Sequence, residues 1–389
     1  MNYNRHEVIK MQNGKRGAYL ISSSGNPMLG GGWSNQQLLK DCGVVPYLLY
    51  KNHGFHSVMV GLKVDEEYPY LEHVDGMELD FLPEDTLKAR TDYVDAHADD
   101  MDLLILYGAY LSYIPLVKHY KKVRPDGKIY LATDMNIAWA DRLPHESGEY
   151  KNFLQSCDVV AASSRATQKY LSAKWSVPVN LIRNGWYNFF DVNFDNMNKE
   201  NIILTVGRVG KFIQQTKRTD ILLEAFAKVA KDLPDWSLRI VGGIDDSFKP
   251  YMKKFFEQNP KLKKRVTFVG LVEDKVALME EYKRAKIFCL TSPHEGGTPN
   301  VTAEALFAGD FMIYSSIDAA SEATDDDSCG RVFPIGDVDA LSKIFLEVCR
   351  DDKLIRDGGR KARTYASEQF DANKIVARLN YLLYGGDAQ

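Results

Sequence analysis

Two glutamates with eight residues between them, Glu295 and Glu304, bracket the stretch of this 389-residue chain best equipped for chemistry, E-G-G-T-P-N-V-T-A-E. Ionised carboxylates only accept hydrogen bonds, so a pair of them suits a hydroxyl-rich partner. Ahead of them Ile287–Leu290 reads as a short buried strand and Ser292-Pro293 as a turn. Gly296 and Gly297 let backbone approach a ligand closely, and Pro299 suits a helix's first turn. A helix is expected from about Asn300 to Ala308, ended by Gly309. Strand, glycine loop and helix N-terminus make a natural seat for phosphate, because the first N–H groups lack intrahelical partners and carry partial positive charge. Taken alone, the stretch is equally an ordinary strand-to-helix turn.

The elements that must hold it alternate short β-rich runs with helical patterns, the mark of parallel α/β architecture. Strands are expected at 18–21, 56–60, 77–81, 103–107, 128–132, 159–162 and 179–183, with a helix from about Ser34 toward His53. The asparagine-rich stretch 186–200 breaks the periodicity and reads as a linker. A second series follows at 202–206, 238–241, 266–269, 287–290, 311–314 and 330–333, with a helix at 219–230 and a helical pattern beyond Asp337. Two doubly wound domains are therefore expected, 1–190 and 191–370, with a last helix at 371–389. Ligands of such folds sit at the carboxyl ends of the strands, which is where Gly30–Gly32, Arg208, Gly242-Gly243 and Glu295 fall. No G-x-G-x-x-G fingerprint is present, so a dinucleotide cofactor is not implied.

Composition agrees. The length favours two domains, and 45% hydrophobic with 26% charged residues places the chain in the soluble globular class. A net charge of -4 argues against a dedicated nucleic-acid binder. The five cysteines are scattered with no C-x-x-C pair, which points to a reducing compartment and away from a zinc site or disulfide framework. No run approaches the length of a membrane span and the N-terminus lacks an apolar signal core, so a cytoplasmic location is expected.

The segment E-G-G-T-P-N-V-T-A-E-A resembles the Glu-x7-Glu signature of the family 4 glycosyltransferases, with one extra residue between the glutamates. The likeness extends to Gly207-Arg208 after an apolar strand and to Lys217 ahead of D-I-L-L-E-A-F, where Arg218 stands in place of the family's usual glycine. The loop Gly30–Trp33 and the turn N-L-I-R-N-G at 180–185 add to it. The resemblance implies the GT-B fold, two Rossmann-like domains facing a central cleft, with the last helix returning to the N-terminal domain. It implies that Arg208 and Lys217, with Lys211 a lesser candidate, grip a donor diphosphate, that Glu295 contacts the donor sugar and that Glu304 accepts from the ribose hydroxyls. Gly31, Gly32, Gly242, Gly243, Leu271, Gly296, Gly297, Thr298, Pro299, Asn300 and Val301 complete the implied donor site. Asp134, after the strand 128–132, is a candidate for a sugar- or acceptor-facing catalytic group, or equally a helix N-cap.

The function expected from this resemblance is a retaining transfer of a sugar from a nucleotide-diphosphate donor to a saccharide, lipid-linked or protein-linked hydroxyl, in polysaccharide, glycolipid or glycoconjugate synthesis. No metal or other cofactor is expected. A sugar-nucleotide 2-epimerase of the same architecture and a non-catalytic sugar-nucleotide binder are the alternatives. Asp325–Asp327 reads as a solvated turn and Asp337–Asp339 as a helix cap, not as metal ligands. His294 touches the key loop. The basic run Lys118–Arg124 reads as a solvated helix end, or as a patch for peripheral contact with an anionic membrane.

Overall fold

The computed structural model describes residues 16–24, 31–195, 198–210 and 217–385. Among them two parallel sheets form. The first contains β1 (Gly17–Ile21), β2 (Gly32–Trp33), β3 (His56–Lys63), β4 (Met77–Phe81), β5 (Met101–Tyr107), β6 (Lys128–Ala132), β7 (Val159–Ala162) and β8 (Val179–Leu181). Its order is β2-β3-β1-β5-β6-β7-β8, with β4 also paired to β3. The second contains β9 (Glu200–Val206), β10 (Ser237–Val241), β11 (Val266–Gly270), β12 (Ala285–Leu290), β13 (Phe311–Ser315) and β14 (Gly330–Phe333), in the order β11-β10-β9-β12-β13-β14. All its pairings are parallel.

A strand buried on both faces must be apolar along its whole length. In β12, Ile287 and Cys289 pack with Leu222, Leu223 and Phe226 of the helix Thr219–Val229 on one side of the sheet. Phe288 and Leu290 pack on the other with Ala303, Ala305 and Leu306 of the helix Asn300–Phe307. The chain runs outward from β9 in both directions, to β10 and β11 on one side and to β12 and beyond on the other. Such a reversal opens a crevice at the carboxyl ends of the central strands.

The chain divides into two compact units. One comprises the described residues of Met1–Ala132, Glu146–Val160 and Val376–Gln389, the other those of Thr133–His145 and Ala161–Ile375. These bounds differ from a division at residue 190. The described residues of the stretch expected as a linker lie in the second unit: the Trp186 N–H donates to the Phe370 carbonyl at 2.8 Å, and its ring packs on Phe194 and Phe307. The expected helix from Ser34 to His53 is two pieces, a 3-10 helix Asn35–Leu39 and an α-helix Asp41–His53, because Lys40 between them is extended. The two-residue strand β2 lies outside the sequence expectation.

No helix among the described residues is long and apolar enough to cross a membrane. In the basic run, His119 contacts Asp95 at 2.7 Å, Lys121 approaches Asp158 at 3.5 Å and Arg124 meets Asp102 at 2.6 Å, so three of its side chains face protein carboxylates.

Candidate functional site

The carboxyl ends of β9, β10, β11 and β12 carry most of the expected site residues. After β9 come Gly207 and the exposed Arg208. The N–H of Lys217 donates to the Arg208 carbonyl at 3.1 Å, which closes the loop between them and brings the two cations to one end of the sheet. After β10, Gly242 takes φ +143, and a Cβ there would lie 1.9 Å from the Gly207 carbonyl oxygen. Only glycine allows that approach. Its neighbour Gly243 is open, and its carbonyl accepts from the Val209 N–H at 2.9 Å. Leu271 follows β11 and is 69% exposed. Lys211 lies outside the described residues.

After β12, Thr291 and Ser292 are buried, and the Thr291 hydroxyl donates to the Lys217 carbonyl at 2.5 Å. His294 is exposed beside Glu295. The glycine loop meets protein as well as open space. A Cβ on Gly296 would lie 3.1 Å from the Asp134 carbonyl oxygen, and Gly297, at φ +129, faces Ser163 so closely that any side chain would collide with its hydroxyl. Thr298 is buried; its hydroxyl donates to the Ser163 carbonyl at 3.1 Å and its carbonyl accepts from the Asn184 side chain at 3.2 Å. Gly296 thus makes room for the backbone of Asp134 and Gly297 for the side chain of Ser163. The helix starts at Asn300, as expected, with Asn300 and Val301 opening its first turn and Pro299 as its N-cap.

Glu295 makes an ion pair with Lys217, Oε1 to Nζ at 2.5 Å, both side chains mostly buried at 15% and 20% exposure. The two residues lie 78 positions apart. Glu304, on the helix Asn300–Phe307, accepts at Oε2 from the Tyr282 hydroxyl at 2.7 Å. Burial, and then the Glu304 charge, push the Tyr282 phenol well above its ordinary range, so it stays a donor. Neither Tyr282 nor Ser163 stood out in the sequence, since each matters only through a partner brought near by the fold; Asn184 lies in the turn 180–185 singled out there, without a partner assigned to it.

Arg218 takes a left-handed conformation, φ +50, one that glycine adopts without strain, which explains the family's usual residue there. Its guanidinium pairs with both oxygens of the buried Asp220 at 2.9 and 2.8 Å. Asp134 is also left-handed, φ +35, and it is not the helix N-cap: Asn136 has that role, accepting from the Trp139 N–H at 2.8 Å. Asp337 caps the helix Val338–Val348, as expected, and Asp325, Asp326 and Asp327 form a turn with all three at positive φ. Among the described residues no group of three or more His, Cys, Asp or Glu side chains could hold a metal ion.

Gly31 and Gly32 fall in the first unit, and Gly30 lies outside the described residues. The Gly31 carbonyl accepts from the Ser22 hydroxyl at 2.6 Å and from Arg90 at 3.2 Å. Arg90 is 1% exposed and also donates to the Ser22, Ser23 and Thr86 carbonyls, with Asp85 as its ion-pair partner at 2.9 Å. It gave no signal as a buried group in the sequence.

Residues 200–351 match the family model described as glycosyl transferases group 1. The second unit carries a group 1 glycosyl transferase domain. The chain is 30% identical over 153 residues to a phosphatidyl-myo-inositol mannosyltransferase of Mycolicibacterium smegmatis, covering 39% of this chain and 37% of that one. It is 26% identical over 171 residues to the N-acetyl-alpha-D-glucosaminyl L-malate synthase of Bacillus anthracis, covering 44% and 43%. These matches span under half the length of the relatives. Over the whole chain the fold is shared with sucrose-phosphate synthase of Thermosynechococcus elongatus, TM-score 0.72 at 21% identity over 95% of this chain and 98% of that one. Anabaena HepE in complex with UDP gives TM-score 0.70 at 17% identity over 93% and 98%. The fold is GT-B.

Proposed function

We propose that the protein is a retaining glycosyltransferase that moves a sugar from a nucleotide-diphosphate donor to a hydroxyl acceptor. The observation that carries this reading is the meeting of Lys217 and Glu295 beside Arg208 at the switch point of the second sheet. A cation suited to phosphate and a carboxylate suited to sugar hydroxyls stand within hydrogen-bond distance of each other. The group 1 domain and the UDP held by a protein of the same fold support a nucleotide-sugar donor.

In this reading the diphosphate lies against Arg208, Lys217 and the amides of Thr298 to Val301, the sugar against Glu295, the ribose against Glu304 and the base against the exposed Leu271. Arginine offers a planar fork for two phosphate oxygens and lysine a movable point charge. As the bond from the anomeric carbon to the leaving phosphate breaks, the acceptor oxygen bonds to that carbon on the same face and its proton passes to a phosphate oxygen. The protein's part is positioning and stabilisation of the growing diphosphate charge. The reaction needs no resident metal, so EDTA should leave the rate unchanged.

The test is incubation with UDP- and GDP-sugars and saccharide or glycolipid acceptors, the product's anomeric configuration being read by NMR. A product with the donor's configuration supports the reading. An inverted product overturns retention, and conversion of donor alone to its 2-epimer, with no need for acceptor, overturns transfer.

A further inference from the structure

The Lys217–Glu295 ion pair has a consequence that depends on the reading of the site as a diphosphate seat. Lys217 is tethered at its backbone, by its N–H to the Arg208 carbonyl and by its carbonyl to the Thr291 hydroxyl. Its aliphatic stem lies across Gly207, close enough that a Cβ on Gly207 would stand 2.7 Å from Lys217 Cε. From this anchored backbone the ammonium reaches out to its partners. One partner is the Glu295 carboxylate, mostly withdrawn from water, where opposite and like charges act more strongly than at an open surface. A β-phosphate gripped by Lys217 would bring its negative charge beside that of Glu295.

We propose that Glu295 competes with the nucleoside diphosphate for Lys217, so that the carboxylate which orients the donor sugar also speeds release of the diphosphate product. While the sugar is attached, its hydroxyls give the carboxylate donors to accept from and a neutral ring lies between it and the phosphates. Once the sugar has left on the acceptor, the carboxylate and the more highly charged terminal phosphate contend for one ammonium, and the product is expelled. The alternative arrangement, in which the three N–H groups of Lys217 serve carboxylate and phosphate together, gives the opposite sign.

The experiment measures binding of UDP and GDP, and of UMP and GMP, to the full chain by calorimetry. Wild type, Glu295→Gln, Lys217→Met and the double variant are compared. Glu295→Gln should bind whichever diphosphate the wild type binds about tenfold more tightly, roughly 1.4 kcal/mol, an effect that damage to the fold does not produce. The gain should be much smaller for the matching monophosphate, which lacks the β-phosphate, and should largely vanish on the Lys217→Met background. In single-turnover and steady-state rates, Glu295→Gln should show product release slowed by a similar factor. Equal or weaker diphosphate binding by Glu295→Gln, or a gain that persists without Lys217, overturns the proposal while leaving the site reading intact. Failure of the wild type to bind either diphosphate overturns the site reading, and the proposal falls with it.

Discussion

The described residues of the loops after β1 and after β9 both bring backbone close at the carboxyl ends of parallel strands, yet they use cations in opposite ways. In the first unit Arg90 is buried and aims its guanidinium at the carbonyls of Ser22, Ser23, Thr86 and Gly31 and at Asp85. In the second unit Arg208 is exposed, and Lys217 keeps a fifth of its side chain in solvent with Glu295 as its ion-pair partner. A cation turned inward fixes a loop; one left at the surface can meet a ligand. On the proposed function, the difference is why the diphosphate chemistry is looked for in the second unit.

The largest expected effect breaks the comparison from the first loop. Arg90→Met should cost about 3–5 kcal/mol of folding stability in denaturant titration, because it strands Asp85 and several buried carbonyls. Arg208→Met should change stability by no more than about 0.5 kcal/mol. A mild Arg90 variant, or an Arg208 variant that unfolds, would remove the contrast. The next effect comes from the second loop. Arg208→Ala and Lys217→Ala should each lower turnover at saturating donor by ~100-fold or more, with the melting temperature unchanged for Arg208→Ala and lowered for Lys217→Ala, which leaves Glu295 without its ion-pair partner. Near-normal turnover in either one would cancel that residue's role.

A smaller effect sharpens the picture of how a carboxylate is aimed. Tyr282→Phe removes the hydroxyl that holds Glu304 Oε2 and should weaken nucleoside diphosphate binding by roughly five-fold, the worth of about 1 kcal/mol of hydrogen bond. Binding of a 2′,3′-dideoxy nucleotide should be unaffected. If both ligands weaken equally, Tyr282 acts on packing and not on the carboxylate.

Most strands were legible because a parallel strand covered on both faces must be a continuous apolar run, as in A-K-I-F-C-L of β12. The break at Lys40 was hidden, since apolar residues continue at helical spacing across it. In the candidate site, Arg208 and Glu295 were picked out by likeness to a family's motifs, and the structure puts them soon after the ends of β9 and β12. Lys217 facing Glu295 and Tyr282 under Glu304 were not legible, because a contact between distant positions is a property of topology and leaves no local pattern. Arg90 drew no reading from the sequence. Its buried role comes from the carbonyls of Ser22, Ser23 and Gly31, about sixty positions and more away.

Glu304→Gln puts the nucleotide-sugar reading to its most direct trial. The variant keeps shape and helix propensity while weakening acceptance from the ribose hydroxyls. Calorimetry would compare wild type and variant with the diphosphate, among UDP, GDP, TDP and ADP, that raises the wild-type melting temperature, and with its 2′,3′-dideoxy form. The expected result is at least ~10-fold weaker binding of the ribonucleotide by the variant, equal binding of the dideoxy form by both, and an unchanged melting temperature without ligand. Equal binding of the ribonucleotide by both proteins, or discrimination that persists with the dideoxy form, would contradict the assignment of Glu304 to the ribose.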